Sequence, residues 1–148
     1  PEGDGLQHQL TAPPAIEFEQ RVDRVLIEYE YWNAVRTIFL DDRVMPPDVK
    51  PTRLGHSVGR FDDGILVVKT TNLIPSQISL MGNKFYLSEE AQFSERYRMS
   101  DDGMRLDIEW TVIDPVNLRG PYTGVMAWLR APGWELHEWR CEAITGEF

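Results

Sequence analysis

Glu95 is the side chain that the surrounding sequence best equips for chemistry. It lies between Phe93 and Tyr97 in a two-residue repeat, which places all three side chains on one face of a predicted strand. If that face is buried, Glu95 is a desolvated carboxyl group, a known starting point for general acid or base catalysis. The structural alternative is a buried salt bridge with an arginine such as Arg36. The sequence alone leaves both interpretations open.

The second candidate for chemistry is His56, which stands in a strand-like stretch with Ser57 and Arg60. Adjacent strand residues point to opposite faces, so Ser57 and His56 cannot form a nucleophile–base pair. A lone histidine in a strand is more often structural than catalytic. In a catalytic interpretation, His56 is the proton-transfer partner of Glu95, and Tyr31 completes the catalytic set. The predicted substrate contacts are aromatic, basic and acidic side chains: Tyr29, Arg36, Arg60, Tyr97, Trp110 and Glu138.

The elements that must position these residues are short strands joined by tight turns. In the clearest hairpin, 55–72, Asp63-Gly64 tolerates positive φ and predicts the turn, and 65–70 is apolar and β-branched. Further strands are predicted over 15–20, 22–31, 35–40, 91–99, 104–113, 121–130 and 134–141. An inverted phase over 91–99 would instead turn Ser94, Arg96 and Arg98 inward.

This strand pattern, with almost no helical periodicity, predicts an all-β fold. We expect an antiparallel, calycin- or lipocalin-like barrel of about eight strands, with a two-sheet β-sandwich as the alternative. Such a barrel is just wide enough to hold one small ligand. We expect a flexible N-terminal arm over residues 1–14, followed by a single β-barrel domain over 15–148. Residues 73–88 lack a regular pattern, which is compatible with a lid or arm over the cavity mouth or with a short helix.

The charge and residue types of the chain restrict its partners. The formal net charge of −9 argues against nucleic acid and against anionic membrane surfaces. No apolar run approaches the roughly 20 residues of a membrane-spanning helix, so membrane insertion is not expected. The three histidines are scattered, and neither a metal site nor a cofactor is predicted. The single cysteine, Cys141, excludes an internal disulfide and is expected to be a buried thiol.

Three functions are compatible with these observations. The first is a cofactor-free proton-transfer enzyme (isomerase, cyclase, lyase or hydratase) acting on a compact apolar or aromatic substrate inside the barrel. In this enzyme, Tyr31 and Arg36 or Arg60 would orient the substrate or stabilise an oxyanion. The second is a non-catalytic ligand carrier, which predicts an internally paired polar cluster and an otherwise apolar pocket. The third is a structural or interaction domain without a cavity, with an exposed apolar patch that serves as a homodimer face.

Six short runs of the sequence resemble an abundant family of bacterial exported proteins that has no established function. The runs are 27–38 (IEYEYWNAVRTI), 55–61 (GHSVGRF), 66–71 (LVVKTT), 94–97 (SERY), 111–115 (TVIDP) and 136–142 (LHEWRCE). The resemblance extends over residues 13–142 and implies an exported, periplasmic protein. It departs from the family at Phe61, where many members have Trp, and at the Asp63-Gly64 turn. Residues 73–88 match no pattern of the family.

Overall fold

The structure is a computed structural model that describes Leu6, residues 15–41, Arg43, residues 45–80 and residues 83–140, without the side chains of 78–80 and 83. Strands dominate these residues, together with one short 3-10 turn at Tyr31–Asn33. The strands are β1 (Ile16–Gln20), β2 (Arg24–Tyr29), β3 (Ala34–Phe39), β4 (His56–Asp62), β5 (Ile65–Thr71), β6 (Ser76–Leu80), β7 (Asn83–Leu87), β8 (Gln92–Met99), β9 (Arg105–Ile113) and β10 (Tyr122–Leu129).

Eight of these strands form one curled sheet, a half-barrel. The strand order is β1-β2-β3-β4-β5-β8-β9-β10, and every neighbouring pair is antiparallel except β3 with β4. Within the described residues, the terminal strands β1 and β10 are not hydrogen-bonded to each other. The predicted all-β, eight-stranded architecture is therefore confirmed, in the form of a curled half-barrel.

The turn between β4 and β5 follows directly from its two residues. Asp63 has a φ of 48° and Gly64 a φ of 76°, and positive φ at both central positions is what a type I′ turn requires. The turn pairs Asp62 with Ile65 and fixes the register of the whole hairpin. The predicted central hairpin is confirmed.

The connection between β3 and β4 explains why these two neighbours run parallel. Parallel strands cannot be joined by a tight turn, so the chain must travel back along the sheet before β4 begins. It does so through a segment that contains three prolines, which cannot donate to a strand ladder. This segment is held near the end of β5 by hydrogen bonds from the Asn72 side chain to the carbonyls of Val49 and Lys50, each 3.2 Å long.

The inner face of the half-barrel carries the core. Because side chains alternate across each strand, every second residue of the central strands is buried, and the intervening residues face outward. One core cluster comprises Val25, Ile27, Tyr29, Ile38, Leu66, Val68, Tyr97 and Ile108. The other comprises Leu6, Leu73, Leu87, Ala91, Phe93, Trp110 and Val112. Together they fill the concave side of the sheet.

Residues 73–88 differ from the sequence-based expectation. The stretch is regular, since β6 and β7 form an antiparallel hairpin over most of it. The hairpin packs on the second core cluster through buried Leu87 and through Phe85, whose ring lies 5.3 Å from that of Tyr122. The hairpin therefore covers one end of the core instead of lying over a cavity mouth.

Asp114 anchors the chain after β9 to the end of this hairpin. Its carboxylate accepts hydrogen bonds from the Ser88 amide at 2.7 Å and the Ser88 hydroxyl at 2.8 Å. It also accepts the amides of Val116 at 3.0 Å and Asn117 at 3.2 Å. Burial raises the pKa of Asp114, but these four donors outweigh burial and hold the pKa below its ordinary value.

The described parts of the two chain ends differ from the predicted strand and the predicted flexible arm. The predicted last strand over 134–141 is wrong for its described part, because residues 134–140 form no strand ladder. Of the predicted arm over 1–14, only Leu6 is described; it is fully buried, and its amide donates to the carbonyl of Arg53 at 3.0 Å. The rest of that arm and Cys141 lie outside the described residues.

Candidate functional site

A cluster of buried polar side chains crosses the inner face of the half-barrel. Four strands contribute to it: β3 carries Arg36, β4 carries Ser57, β5 carries Thr70 and β8 carries Glu95. Each of these residues is at most 2% exposed. The inward direction of Glu95 thus agrees with the two-residue repeat. The inverted phase is wrong, since Ser94, Arg96 and Arg98 are exposed.

Arg36 is the centre of this cluster, and all five of its N–H donors are bonded. Its Nη1 and Nη2 each donate to one carboxylate oxygen of Glu95 at 2.7 Å. Nη2 also donates to Thr70 Oγ1 at 2.7 Å, Nη1 to the Tyr97 hydroxyl at 3.2 Å, and Nε to Ser57 Oγ at 3.1 Å. A guanidinium group has no further donor to offer a ligand.

The acceptors of the cluster are occupied as well. The Tyr97 hydroxyl donates to Glu95 Oε2 at 2.5 Å, and Thr70 Oγ1 lies 3.5 Å from Glu95 Oε1. The hydroxyl oxygens of Ser57 and Thr70 are 2.9 Å apart and share a hydrogen bond. Each carboxylate oxygen therefore accepts from Arg36 and from a hydroxyl group. Such a bidentate, doubly supported arrangement is the strong form of an arginine–carboxylate pair.

Electrostatics set the protonation states of the arginine and of the two tyrosines beside it at neutral pH. Burial alone lowers the pKa of Arg36, but the adjacent Glu95 carboxylate opposes this effect, and the pKa lies well above its ordinary value. Burial and the same carboxylate raise the pKa of Tyr97 well above its ordinary value. Burial also raises the pKa of Tyr29. The arginine is therefore charged, and both tyrosines are neutral.

The closed geometry of this network limits what it can do chemically. Glu95 is completely buried, and a general base must come within hydrogen-bond reach of the proton that it removes. Its oxygens face Arg36, Tyr97 and Thr70 instead. The arrangement corresponds to the structural alternative for Glu95, a buried salt bridge with Arg36.

His56 and Arg60 lie on the opposite face of the sheet from Glu95. β4 turns Ser57 and Gly59 inward, which places His56 and Arg60 on the outer face. The His56 ring stacks on Phe39, with ring centroids 5.4 Å apart and an angle of 29° between the planes. Arg60 is exposed. The expected pairing of His56 with Glu95 is not found, because a β-sheet separates the two side chains.

Tyr31 belongs to an aromatic cluster between β2 and β3. Its ring centroid lies 4.6 Å from that of Trp139 and 5.6 Å from that of Trp32. The Asn33 amide fastens Trp139 there: its Nδ2 donates to the Trp139 carbonyl at 3.0 Å, and its Oδ1 accepts the Trp139 amide at 2.7 Å. Trp32 has a φ of 64°, a strained conformation for a bulky residue. Tyr31 thus packs with tryptophans, whereas Glu95 is held by Arg36.

Three of the four remaining predicted contact residues are buried on the inner face, and Glu138 is exposed. Trp110 is buried in the core, where its indole ring lies against Gly124 so closely that a Cβ atom there would overlap it. Tyr97 and Tyr29 are inner-face core residues beside Arg36. Glu138 is exposed and accepts two hydrogen bonds from Arg140, 2.8 and 2.9 Å long. The structure therefore brings Tyr29, Tyr97 and Trp110 onto the inner face beside Glu95, whereas Glu138 lies apart from them.

A different site opens at one end of the half-barrel, and no local sequence pattern predicts it. We call it the edge cleft: a cavity of about 720 Å³ between the start of β1, the turn from β8 to β9, and the chain after β10. Its apolar lining is formed by Ile16, Phe18, Met99, Met104, Leu106, Trp128, Leu129, Trp134 and Leu136. Several of these are unusually exposed for apolar side chains, including Trp134 at 61% and Met99 at 52%.

The edge cleft also contains charged groups at its margin. Arg105 is held by Asp107 at 2.7 Å. Among the described residues, the guanidinium of Arg130 has no ion-pair or hydrogen-bond partner. Glu17 lies on the β1 side. Met104 and Met99 fall in adjacent predicted strands with a short turn between them, but only the folded structure shows that β1 lies opposite.

No group of three or more metal-binding side chains occurs in the part of the chain that the structure describes. Within the same residues, no helix is long and apolar enough to cross a membrane.

No protein-family model matches this chain, and no curated protein or solved structure matches it either. The resemblance to exported bacterial proteins therefore stays a prediction.

Proposed function

We propose that this protein is a non-catalytic binding protein that holds a compact, largely apolar or aromatic molecule in the edge cleft. The proposal selects the second of the three functions that the sequence allows. It rests on one contrast: the polar cluster is fully paired internally, whereas most of the side chains that line the open cavity are apolar. Export to the periplasm remains a proposal that depends on the sequence resemblance alone.

The size and lining of the edge cleft support this function. A volume of about 720 Å³ falls in the range of pockets that hold drug-sized ligands, and such pockets are lined mainly by apolar and aromatic groups. Large apolar side chains that are exposed together around a concavity mark a binding surface, whereas single exposed apolar residues need no explanation. Trp128, Trp134 and Phe18 supply flat faces against which an aromatic ligand packs favourably.

The position of Arg130 suggests the polar part of the ligand. Its guanidinium borders the cleft without an ion-pair partner among the described residues, so it is available to a carboxylate, sulfonate or similar group. Because the side chain is exposed, we expect this contact to orient the ligand more than to supply affinity. The apolar walls would supply most of the binding free energy.

The proton-transfer alternative has less support in the geometry. An enzyme that used Glu95 would have to open the Arg36 network to admit substrate, and it would find His56 on the other face of the sheet. No described residue at the edge cleft combines burial with a second titratable partner in the way that acid–base sites do. Binding without chemistry is therefore the function that we favour.

A fluorescence titration tests the proposal. Trp128 and Trp134 line the cleft, so binding of the aromatic sulfonate 1-anilinonaphthalene-8-sulfonate should change both probe emission and tryptophan emission, with saturation at one probe per chain. Met104→Asp places a charge in the cleft wall and should weaken binding at least about tenfold. The matched control is Val22→Asp, since Val22 is fully exposed outside the cleft.

Two results would contradict the proposal. One is the absence of saturable binding to the parent protein. The other is an equal affinity of Met104→Asp and Val22→Asp, which would place the probe elsewhere on the surface. Circular dichroism of each variant establishes that the fold is unchanged before affinities are compared.

A further inference from the structure

The last strand of the sheet, β10, presents an edge that is unusual for a monomeric protein. Within the described residues, β10 is paired with β9 on one side and with no strand on the other. Its eight residues, Tyr122–Leu129, include no charged residue and no proline. Val125 is 74% exposed and Leu129 is 77% exposed on its outer face. Long, uncharged edge strands are templates for pairing with another strand.

The opposite edge of the same sheet is protected in the ordinary way. β1 has only five residues, and two of them, Glu17 and Glu19, are exposed acids. Charges and short length are the usual means by which an edge strand is kept from pairing. Since one edge carries this protection and the other does not, the open edge of β10 is a specific feature of the chain.

We propose that β10 pairs antiparallel with β10 of a second copy of this chain, which makes the protein a dimer with one continuous sheet. The pairing is isologous: the same strand serves both subunits around a two-fold axis, so the assembly closes at two copies. A second copy is the occupant that the strand itself favours, because β10 is complementary to its own reverse. The end of β10 also lines the edge cleft through Trp128 and Leu129, but the dimer is tested by assembly and not by ligand binding.

We place the two-fold axis at Val125, an exposed residue near the middle of β10. With Val125 on the two-fold axis, Gly124 of one copy lies opposite Met126 of the other, and Tyr122 lies opposite Trp128. Small residues then face large ones, and aromatic residues face each other, which are favourable cross-strand pairs.

The charges beside β10 do not oppose this arrangement. The nearest acidic side chain is Glu109, which pairs with Val125 across β9 and β10. In the dimer, the two copies of Glu109 would be separated by three strand spacings, about 14 Å. This exceeds the screening length of about 8 Å at physiological ionic strength. These two carboxylates therefore add little repulsion at the interface itself.

Sedimentation of the full chain tests the dimer. The parent protein should sediment at micromolar concentration with twice the chain mass of 17.1 kDa. Val125→Lys places two charges face to face on the axis and should give a monomer. The matched control, Val35→Lys, changes another exposed strand valine on the outer face and should remain dimeric. A monomeric parent, a dimeric Val125→Lys or a monomeric Val35→Lys would each overturn the proposal, as would assembly beyond two copies.

Cysteine cross-linking tests the register in a Cys141→Ser background. Val125→Cys should form an intersubunit disulfide on mild oxidation, because directly opposite Cβ atoms lie about 4.5–5.5 Å apart. Thr123→Cys should not form one, since the two copies would be offset by four residues, about 13 Å along the strand. A mixture of Thr123→Cys with Ala127→Cys should cross-link, because those positions are opposed. Cross-linking by Thr123→Cys alone would overturn the register.

Discussion

Replacing Glu95 by glutamine tests whether the buried network is a structural element. The change leaves the Arg36 guanidinium charged and buried, and it turns one carboxylate oxygen into an N–H donor that faces other donors. Two hydrogen bonds of 2.7 Å are thereby weakened or lost, each worth about 1.5–3 kcal/mol when one group is charged. Breaking one side of a buried ion pair typically costs about 3–5 kcal/mol. We expect the free energy of unfolding to fall by about that amount.

A double-mutant cycle separates the pair from its surroundings. Arg36→Met combined with Glu95→Leu removes both charges and leaves apolar groups, so it should destabilise less than either single change. The interaction energy between the two sites should be at least about 2 kcal/mol. Urea denaturation followed by tryptophan fluorescence and by circular dichroism measures each free energy of unfolding. Glu109→Gln is the matched control, because Glu109 is exposed on the outer face, and it should change stability by less than about 0.5 kcal/mol.

One result would refute this reasoning directly. If Glu95→Gln unfolds with a free energy within about 1 kcal/mol of the parent, the guanidinium does not depend on the carboxylate as the geometry requires. Solvent would then have access to the network, and the acid–base role of Glu95 would regain support. Retained probe binding by a folded Glu95→Gln variant would instead agree with a purely structural role for the pair.

Three further variants test other parts of the structure. Gly124→Ala should lower the free energy of unfolding by about 1–3 kcal/mol, because the new methyl group overlaps the indole ring of Trp110. Thermal denaturation measures the loss of stability against the control Gly120→Ala, where the space around the glycine is open. Equal midpoints for the two variants would contradict the prediction. Asp114→Asn should destabilise by about 1–3 kcal/mol at neutral pH. The pKa of Asp114 is lower in the folded state than in the unfolded state, so its carboxylate contributes to the free energy of unfolding above the unfolded pKa of about 3.9. This contribution is lost as pH falls through the folded-state pKa. The melting temperatures of the parent and the variant should therefore converge in acid. Asn33→Ala should release Trp139 and increase its quenching by acrylamide, and unchanged quenching would show that other contacts hold that segment.

Local patterns predicted the parts of the fold that local physics controls. The β4–β5 hairpin follows from two residues that accept positive φ, and the burial of β8 follows from the alternation around Glu95. For Glu95, the sequence left two interpretations open, and a buried ion pair with Arg36 was one of them. The choice of partner depends on how the strands are ordered, and strand order is set by contacts that are distant in the sequence.

The errors have equally physical causes. Residues 134–140 alternate like a strand, but the chain is drawn toward the β2–β3 connection by the hydrogen bonds between Asn33 and Trp139, so it cannot follow β10. The β6–β7 hairpin is short, and its alternation is too weak to be recognised without the core that it covers. The edge cleft exists only because β1 and the chain after β10 meet in space. No window of the sequence contains that information.

The position of the Arg36 network explains why a small apolar core retains an ion pair. The β3–β4 junction is the least extensive in the main sheet, defined by two residue pairs, Ile38 with Ser57 and Phe39 with Val58. From β3, Arg36 bonds one side chain on β4, one on β5 and two on β8, so all its donors are satisfied only when the registers of three strand pairs are correct together. An apolar replacement would preserve burial but not this dependence on register. The Arg36→Met, Glu95→Leu double variant should therefore keep most of its stability. Its β3 and β4 amides should nevertheless exchange hydrogen faster than those of β8 and β9. Uniform exchange across the sheet would show that packing alone fixes the β3–β4 junction.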